Sequence, residues 1–300
     1  MVEVRGFGQV LTAMVTPFGP SGEVDESRVT RLVEHLLTNG SDGIVVCGTT
    51  GESPTLSHAE KIRLFELVKE RAGSRGRVVA GTGGNDTAAS IELTKEAAII
   101  GVDAALLVVP PYNRPSQEGL YQHFRAIAES VPNLKCIVYN VPGRTAQNLE
   151  ARTTVRLAQD VPNIVAVKEA SGNLVQCAEI VAGAPSGFSL YSGDDGLALP
   201  MLAVGGVGVV SVTAHLVGRD MKRMHEAFFA GDLAEAIRIN CKMLPIVHAC
   251  FQATTPSPAP LKAALNLLGV EVGGLRLPLV ETNEKERCIV QAALAAYGLS

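Results

Sequence analysis

The stretch Ile164-Val165-Ala166-Val167-Lys168-Glu169-Ala170-Ser171 is apolar for four residues and then abruptly charged. Its length and β-branched content predict a short buried strand, polar only from Lys168 onward. A lysine in an apolar site loses solvation as an ammonium, so its pKa falls. A neutral amine attacks carbonyls and forms Schiff bases. The bland reading is a strand-end lysine whose stem lies on apolar surface while its head reaches water. Taken alone, the run favours the bland reading; the rest of the chain reverses that.

The same pattern, an apolar run with a polar or Gly-rich end followed by a helical stretch, recurs at 10–16, 43–50, 78–82, 104–110, 136–141, 164–169, 189–193 and 208–213. The spacing of about 20 to 35 residues is what a strand and a crossover helix need. Between the runs, segment 25–37 places Val29, Leu32, Val33, Leu36 and Leu37 on one helical face. Ser57 and Glu60 form a capping-box signature before the helix at 59–71. Asp86 or Thr87 can cap 88–100, and 116–131, 149–159 and 173–181 continue the alternation. Eight such units predict a (β/α)8 TIM barrel over 1–220. A doubly wound open sheet is the alternative, but the first run ends Val15-Thr16-Pro17-Phe18, without a Gly-rich dinucleotide turn. From Met221 on there are no strand runs, only helical segments at 221–229, 233–244 and 259–268, punctuated by Pro256, Pro258 and Pro260. Residues 221–300 therefore read as a C-terminal helical appendage, not an independent domain.

Composition narrows the function. Hydrophobic residues are 47% and charged residues 19%, with a net charge of −4 and no basic stripe, which argues against a nucleic-acid partner. None of the six cysteines forms a C-x-x-C pair or zinc-finger spacing, and no disulfide framework is evident, so a reducing, cytoplasmic setting is expected. Residues 1–8 lack the apolar core of a signal peptide. The longest apolar stretch, 197–212, is broken by Pro200 and several glycines, so no membrane span is expected.

In such barrels chemistry gathers at the C-terminal strand ends. There the sequence offers Thr16, Gly48-Thr49-Thr50-Gly51-Glu52, Pro111-Tyr112-Asn113-Arg114, Tyr139-Asn140-Val141-Pro142-Gly143-Arg144, Lys168, Gly193-Asp194-Asp195 and Ser211-Val212-Thr213. Lys168 is the nucleophile candidate. Tyr139 is a phenol able to pass protons to and from a carbinolamine. Thr49 and Thr50, with N–H groups beside glycines, suit a carboxylate. Arg144 suits a second carboxylate through paired donors. This set serves a keto acid activated as an imine and then an enamine. Each residue also has a plain structural reading. Thr-Thr-Gly can be a turn, Tyr139 a core residue, Arg144 a surface ion pair. Asp194-Asp195 reads as a turn or helix cap rather than a metal site. The glycine clusters at 81–84 and 205–208 lack the Lys-Ser/Thr of a phosphate loop, and no His-x-x-x-His pair occurs, so no metal or cofactor is assigned.

The motifs Gly48-Thr49-Thr50-Gly51-Glu52-Ser53, Tyr112-Asn113-Arg114-Pro115, Tyr139-Asn140-Val141-Pro142-Gly143-Arg144-Thr145, Val167-Lys168-Glu169-Ala170 and Ser192-Gly193-Asp194-Asp195 resemble the dihydrodipicolinate synthase family. The resemblance covers essentially the whole chain. It implies condensation of pyruvate with L-aspartate 4-semialdehyde on the way to diaminopimelate and lysine. It also implies that Lys168 forms the imine, that Thr50 binds the pyruvate carboxylate, and that Tyr139 relays protons with Thr49 and Tyr112. In that family the equivalent of Tyr112 enters from a neighbouring subunit, which implies a homo-oligomer, usually a dimer of dimers. Arg144 would receive the semialdehyde carboxylate, and Gly193 and Val210 would line the pyruvate pocket through backbone carbonyls. Related families that cleave sialic acid or keto-deoxy sugar acids use the same lysine but generally lack this arginine.

One departure concerns regulation. Lysine-inhibited members of the family carry His, Glu and Tyr where this chain has Lys61, Ala89 and Pro111, although Ser53, His58 and Asn85 look retained. Lys61 would set a cation beside a cationic effector. At an effective dielectric near 20, like charges about 4 Å apart repel by about 4 kcal/mol. Weak or absent feedback by lysine is therefore expected. A sugar-acid aldolase or dehydratase, and a catalytically silent keto-acid-binding barrel, stand as the competing readings.

Overall fold

The structure, a computed structural model, describes residues 6–299. The reading of residues 1–8 as lacking a signal peptide falls largely outside that range. Eight strands close into a parallel barrel in chain order: β1 (Val10–Ala13), β2 (Gly43–Val46), β3 (Arg77–Gly81), β4 (Ala104–Val108), β5 (Lys135–Asn140), β6 (Ile164–Glu169), β7 (Ser189–Ser192) and β8 (Gly208–Ser211). The predicted (β/α)8 barrel is what forms. The predicted runs outlast the strands in several cases, because their last residues leave the ladder to build loops at the C-terminal rim.

The helices are α1 (Glu26–Thr38), α2 (His58–Ala72), α3 (Thr87–Ile100), α4 (Gln117–Glu129), α5 (Pro142–Thr145), α6 (Ala151–Asp160), α7 (Leu174–Gly183), α8 (Ala198–Ala203), α9 (Ala214–Phe229), α10 (Leu233–Cys250), α11 (Ala259–Leu267) and α12 (Glu284–Tyr297). Ser57 and Glu60 form both hydrogen bonds of the capping box, and Asp86 rather than Thr87 caps α3. Two expectations need correction. The helix expected from Met221 begins at Ala214, with a break at Val217, so position 220 falls inside α9. The helix expected to stop at Leu244 runs through Pro245 to Cys250, and α12 was not anticipated. Among the described residues no helix is long and apolar enough to cross a membrane.

Two apolar layers follow from strand alternation. Val10, Met14, Ile44, Val46, Val78, Ala105 and Val167 face outward against the helices. Leu11, Ala13, Val45, Val79, Leu106, Ile137, Ala166, Tyr191 and Val210 fill the barrel interior, with Phe7 packed among them at the N-terminal end. That interior is packed, so chemistry is left to the opposite rim, where Tyr139 and Lys168 stand.

Candidate active site

β5, β6 and β7 set Tyr139, Lys168 and Tyr191 in register, so three neighbouring side chains point inward at one level. Lys168 is 6% exposed and Tyr139 5%. The Lys168 ammonium lies 4.0 Å from the centre of the Tyr139 ring. Burial brings the Lys168 pKa down to about 7, with Asp195 opposing the fall and Arg144 adding to it. The free amine is thus a substantial fraction at neutral pH. Burial pushes Tyr139 up to about 12, while Arg144 and a hydrogen bond with Thr49 work the other way.

The two tyrosines beside Lys168 differ in what their hydroxyls do. Tyr191 accepts from the Phe7 N–H at 3.0 Å and donates to the Gly8 carbonyl at 3.0 Å, which points it at the closed end of the barrel. Tyr139 instead meets the Thr49 hydroxyl at the open rim. Gly193 makes the lysine fit: a Cβ there would stand 2.8 Å from the Ala170 Cβ and 3.0 Å from the Lys168 Cε. Val210 is buried in the barrel interior, in register with Leu11.

The 48–52 turn is tight. Gly51 N–H donates to Gly48 O and Glu52 N–H to Thr49 O, both at 3.1 Å. The Thr16 hydroxyl ties the Gly51 carbonyl at 2.6 Å. Thr50 is buried, and no acceptor among the described residues engages the Thr49 and Thr50 N–H groups. Arg144, on the short α5, is exposed and forms no ion pair with any described residue. Its electrostatic reach to both Lys168 and Tyr139 places it near the amine. Tyr112 is not gathered in: it is 92% exposed, and it and Arg114 hold left-handed backbone conformations. Within one chain Tyr112 therefore does not join Tyr139; the expectation for it was entry from a neighbouring subunit.

Three buried carboxylates nearby were missed or underread. Asp194 is the expected cap, accepting from Gly196 N–H at 2.8 Å. Asp195 is not merely a turn residue. It is buried and accepts from the Val212 and Thr213 N–H groups at 3.0 and 2.8 Å, joining the ends of β7 and β8 within electrostatic reach of Lys168. Glu169 is buried as well, on the helix side of the rim. It accepts from Asn140 at 3.0 Å, Gln176 at 3.0 Å and the Ser171 N–H at 2.7 Å. Glu52 is the third, and its partners lie in the C-terminal tail.

Of the six residues read as a degraded regulatory pocket, Asn85 and the Pro111 turn are adjacent, since Asn113 donates to the Asn85 carbonyl at 2.8 Å. His58 is engaged by Glu96 at 3.0 Å. Burial lowers the Lys61 pKa, and no carboxylate opposes that fall. Ser53 begins a single 3₁₀ turn, and Ala89 is exposed. No hydrogen bond or ion pair among the described residues joins Lys61 to Asn85, Ala89 or Pro111.

The model of the dihydrodipicolinate synthetase family matches residues 6–297. The chain belongs to that family. A 4-hydroxy-tetrahydrodipicolinate synthase of Microcystis aeruginosa is 55% identical over 279 residues, 93% of each chain. The enzyme of that name from Bacillus subtilis is 52% identical, covering 96% of this chain and 99% of its own. A solved dihydrodipicolinate synthase from Cyanidioschyzon merolae, with lysine bound, superposes at a TM-score of 0.96 with 48% identity, covering 98% of this chain and 99% of that one. Membership of the dihydrodipicolinate synthetase family makes this chain an enzyme, and its relatives of known name are lyases.

Proposed function

We propose that the chain condenses pyruvate with L-aspartate 4-semialdehyde to give 4-hydroxy-tetrahydrodipicolinate, the step toward diaminopimelate and lysine. The observation that carries this is the buried Lys168, its pKa brought to about 7, beside a Tyr139 whose hydroxyl is turned to the open rim. The neutral Lys168 amine attacks C2 of pyruvate to give a carbinolamine. Tyr139, in contact with Thr49, hands a proton to the departing hydroxyl, water leaves and an imine forms. Loss of a C3 proton gives an enamine, whose carbon attacks the semialdehyde carbonyl. The semialdehyde's amino group then displaces Lys168 from C2, closing the ring and freeing the enzyme.

In this reading Thr50 and the free N–H groups of the 48–52 turn hold the pyruvate carboxylate, with the Gly193 and Val210 carbonyls at the pocket wall. Arg144 is a free guanidinium near the amine, suited to the second substrate's carboxylate. Tyr112, exposed in a strained loop, completes the site of a neighbouring subunit in a homo-oligomer, a dimer of dimers. Lysine inhibits weakly or not at all, since Lys61 meets the effector's cation with a like charge and Ala89 supplies no counter-charge. Half-inhibition below millimolar lysine would refute that last point.

Borohydride added with pyruvate should fix one pyruvate-derived mass on Lys168, found by peptide mapping, and added semialdehyde should protect against it while product accumulates. An unlabelled Lys168 in active protein would overturn the mechanism.

A further inference from the structure

The 48–52 turn is held from outside the barrel by the C-terminal tail. Glu52 follows the two threonines after Gly51, in a left-handed conformation at φ 56, with its side chain fully buried. Its Oε1 lies 2.7 Å from the Nζ of Lys262 on α11, whose side chain is 1% exposed. The same Nζ donates to the Gly274 carbonyl at 2.7 Å and sits 4.3 Å from the centre of the Phe18 ring. The other Glu52 oxygen accepts the Arg276 N–H at 3.0 Å. The Arg276 guanidinium then reaches Gly22 O and Thr55 O at 2.7 Å and pairs with Glu60. Gly273, at φ +69, lets the tail come this close, since a Cβ there would meet the Phe18 carbonyl at 2.0 Å. Three distant parts of the chain, the loop after β1, the loop after β2 and the tail, therefore meet at one buried ion pair.

A buried pair of opposite charges is a poor source of stability, because desolvation offsets much of the attraction. Such a pair is worth keeping where it fixes one geometry. From this juxtaposition we infer that Glu52 and Lys262 are positioning residues for the keto-acid carboxylate, with the tail acting as a latch on the threonine turn. The inference rests on the function proposed above. The latch holds the N–H groups of Thr49 and Thr50 in place for the carboxylate, and it touches neither substrate nor Lys168.

The test compares the full-length enzyme with Glu52→Gln, Lys262→Met and the double variant Glu52→Gln/Lys262→Met. Measured are thermal midpoint, KM for pyruvate, kcat, and borohydride trapping of pyruvate on Lys168. Each single variant leaves one buried charge without its counter-charge, so both midpoint and pyruvate affinity fall. The double variant removes both charges and recovers its midpoint, yet its KM for pyruvate stays at least tenfold above the unaltered enzyme, with kcat changed much less. A double variant that recovers its midpoint and also a KM within twofold of the unaltered enzyme would make the pair purely structural and overturn the latch. If the single variants fail to fold, the double variant decides the matter by the same two values. Failure of the unaltered enzyme to trap pyruvate would instead remove the functional reading, and the latch with it.

Discussion

Lys168 has a tyrosine on each side at the same level of the barrel, and burial raises the pKa of both to about 12. Their hydroxyls divide the work: Tyr191 closes the bottom of the barrel on Phe7 and Gly8, while Tyr139 faces the rim and Thr49. Replacing Tyr139 with Phe should lower kcat by about 10²- to 10⁴-fold, the usual worth of a placed proton donor. Tyr191→Phe should leave kcat nearly intact but cost about 1 kcal/mol of stability through its two lost hydrogen bonds. Steady-state kinetics and denaturant midpoints on both variants separate these outcomes. Lys168 itself sets a pH dependence. Its folded pKa is lowered from 10.5 to about 7, so the nucleophilic free amine grows as pH rises through 7. The rate of imine formation should climb between pH 6 and 8 and then level, well below the pH at which an exposed lysine would titrate. A rate still climbing steeply at pH 9 would mean that Lys168 keeps an ordinary pKa.

At the level of elements, the packing at the ends of β5, β6 and β7 decides whether the amine stands free. Gly193 occupies the place where a methyl group would meet both Ala170 and the Lys168 side chain. Gly193→Ala should therefore slow imine formation by about tenfold to a hundredfold through displacement of the amine, while the barrel stays folded. Trapping rates alongside far-UV circular dichroism would show it. Strands and capped helices were legible in the sequence because apolar period and caps are local signals, as at Ile164–Glu169 and Ser57–Glu60. Asp195, Glu169 and Glu52 were not, because a buried carboxylate is justified only by partners far along the chain. Asp195 needs the N–H groups of Val212 and Thr213, Glu169 needs Asn140 and Gln176, and Glu52 needs Lys262. The continuation of α10 through Pro245 escaped notice for the same reason: a proline ends an isolated helix, but Ile246, Val247, Ala249 and Cys250 beyond it are buried, and their packing carries the helix on.

For the molecule as a whole, the residues at the outer wall tie stability to pH. His215 accepts the Val15 N–H at Nε2, 3.2 Å away, and its Nδ1 lies 2.7 Å from the Val212 carbonyl, which suits the neutral ring. Burial lowers its pKa from 6.5 to about 4. The unfolded chain takes up a proton below pH 6.5 that the fold refuses until about pH 4, so stability is lost as pH falls through that window. The loss reaches roughly 3 kcal/mol at the acid end. Urea midpoints should drop from pH 7 to pH 4.5, and His215→Gln should lessen that slope without abolishing it, since burial lowers His123 to about 4 and lowers His225 as well; an equal slope in the variant would assign it elsewhere. In the proposed assembly, the exposed Tyr112 would complete the site of a neighbouring subunit. Mixing inactive Lys168→Ala with inactive Tyr112→Ala under subunit exchange should restore activity, because a two-fold pair then holds one site with both residues intact. No recovery despite exchange would place Tyr112 outside the partner's site.

The most direct measurement is kcat/KM for pyruvate with L-aspartate 4-semialdehyde, set against retro-aldol cleavage of sialic acid and keto-deoxygluconate, in the unaltered enzyme and in Arg144→Ala. The expected result is a strong preference for the semialdehyde that collapses in Arg144→Ala while pyruvate trapping on Lys168 persists. A preference for either sugar acid, or an Arg144→Ala variant with unchanged kcat/KM for the semialdehyde, would contradict it.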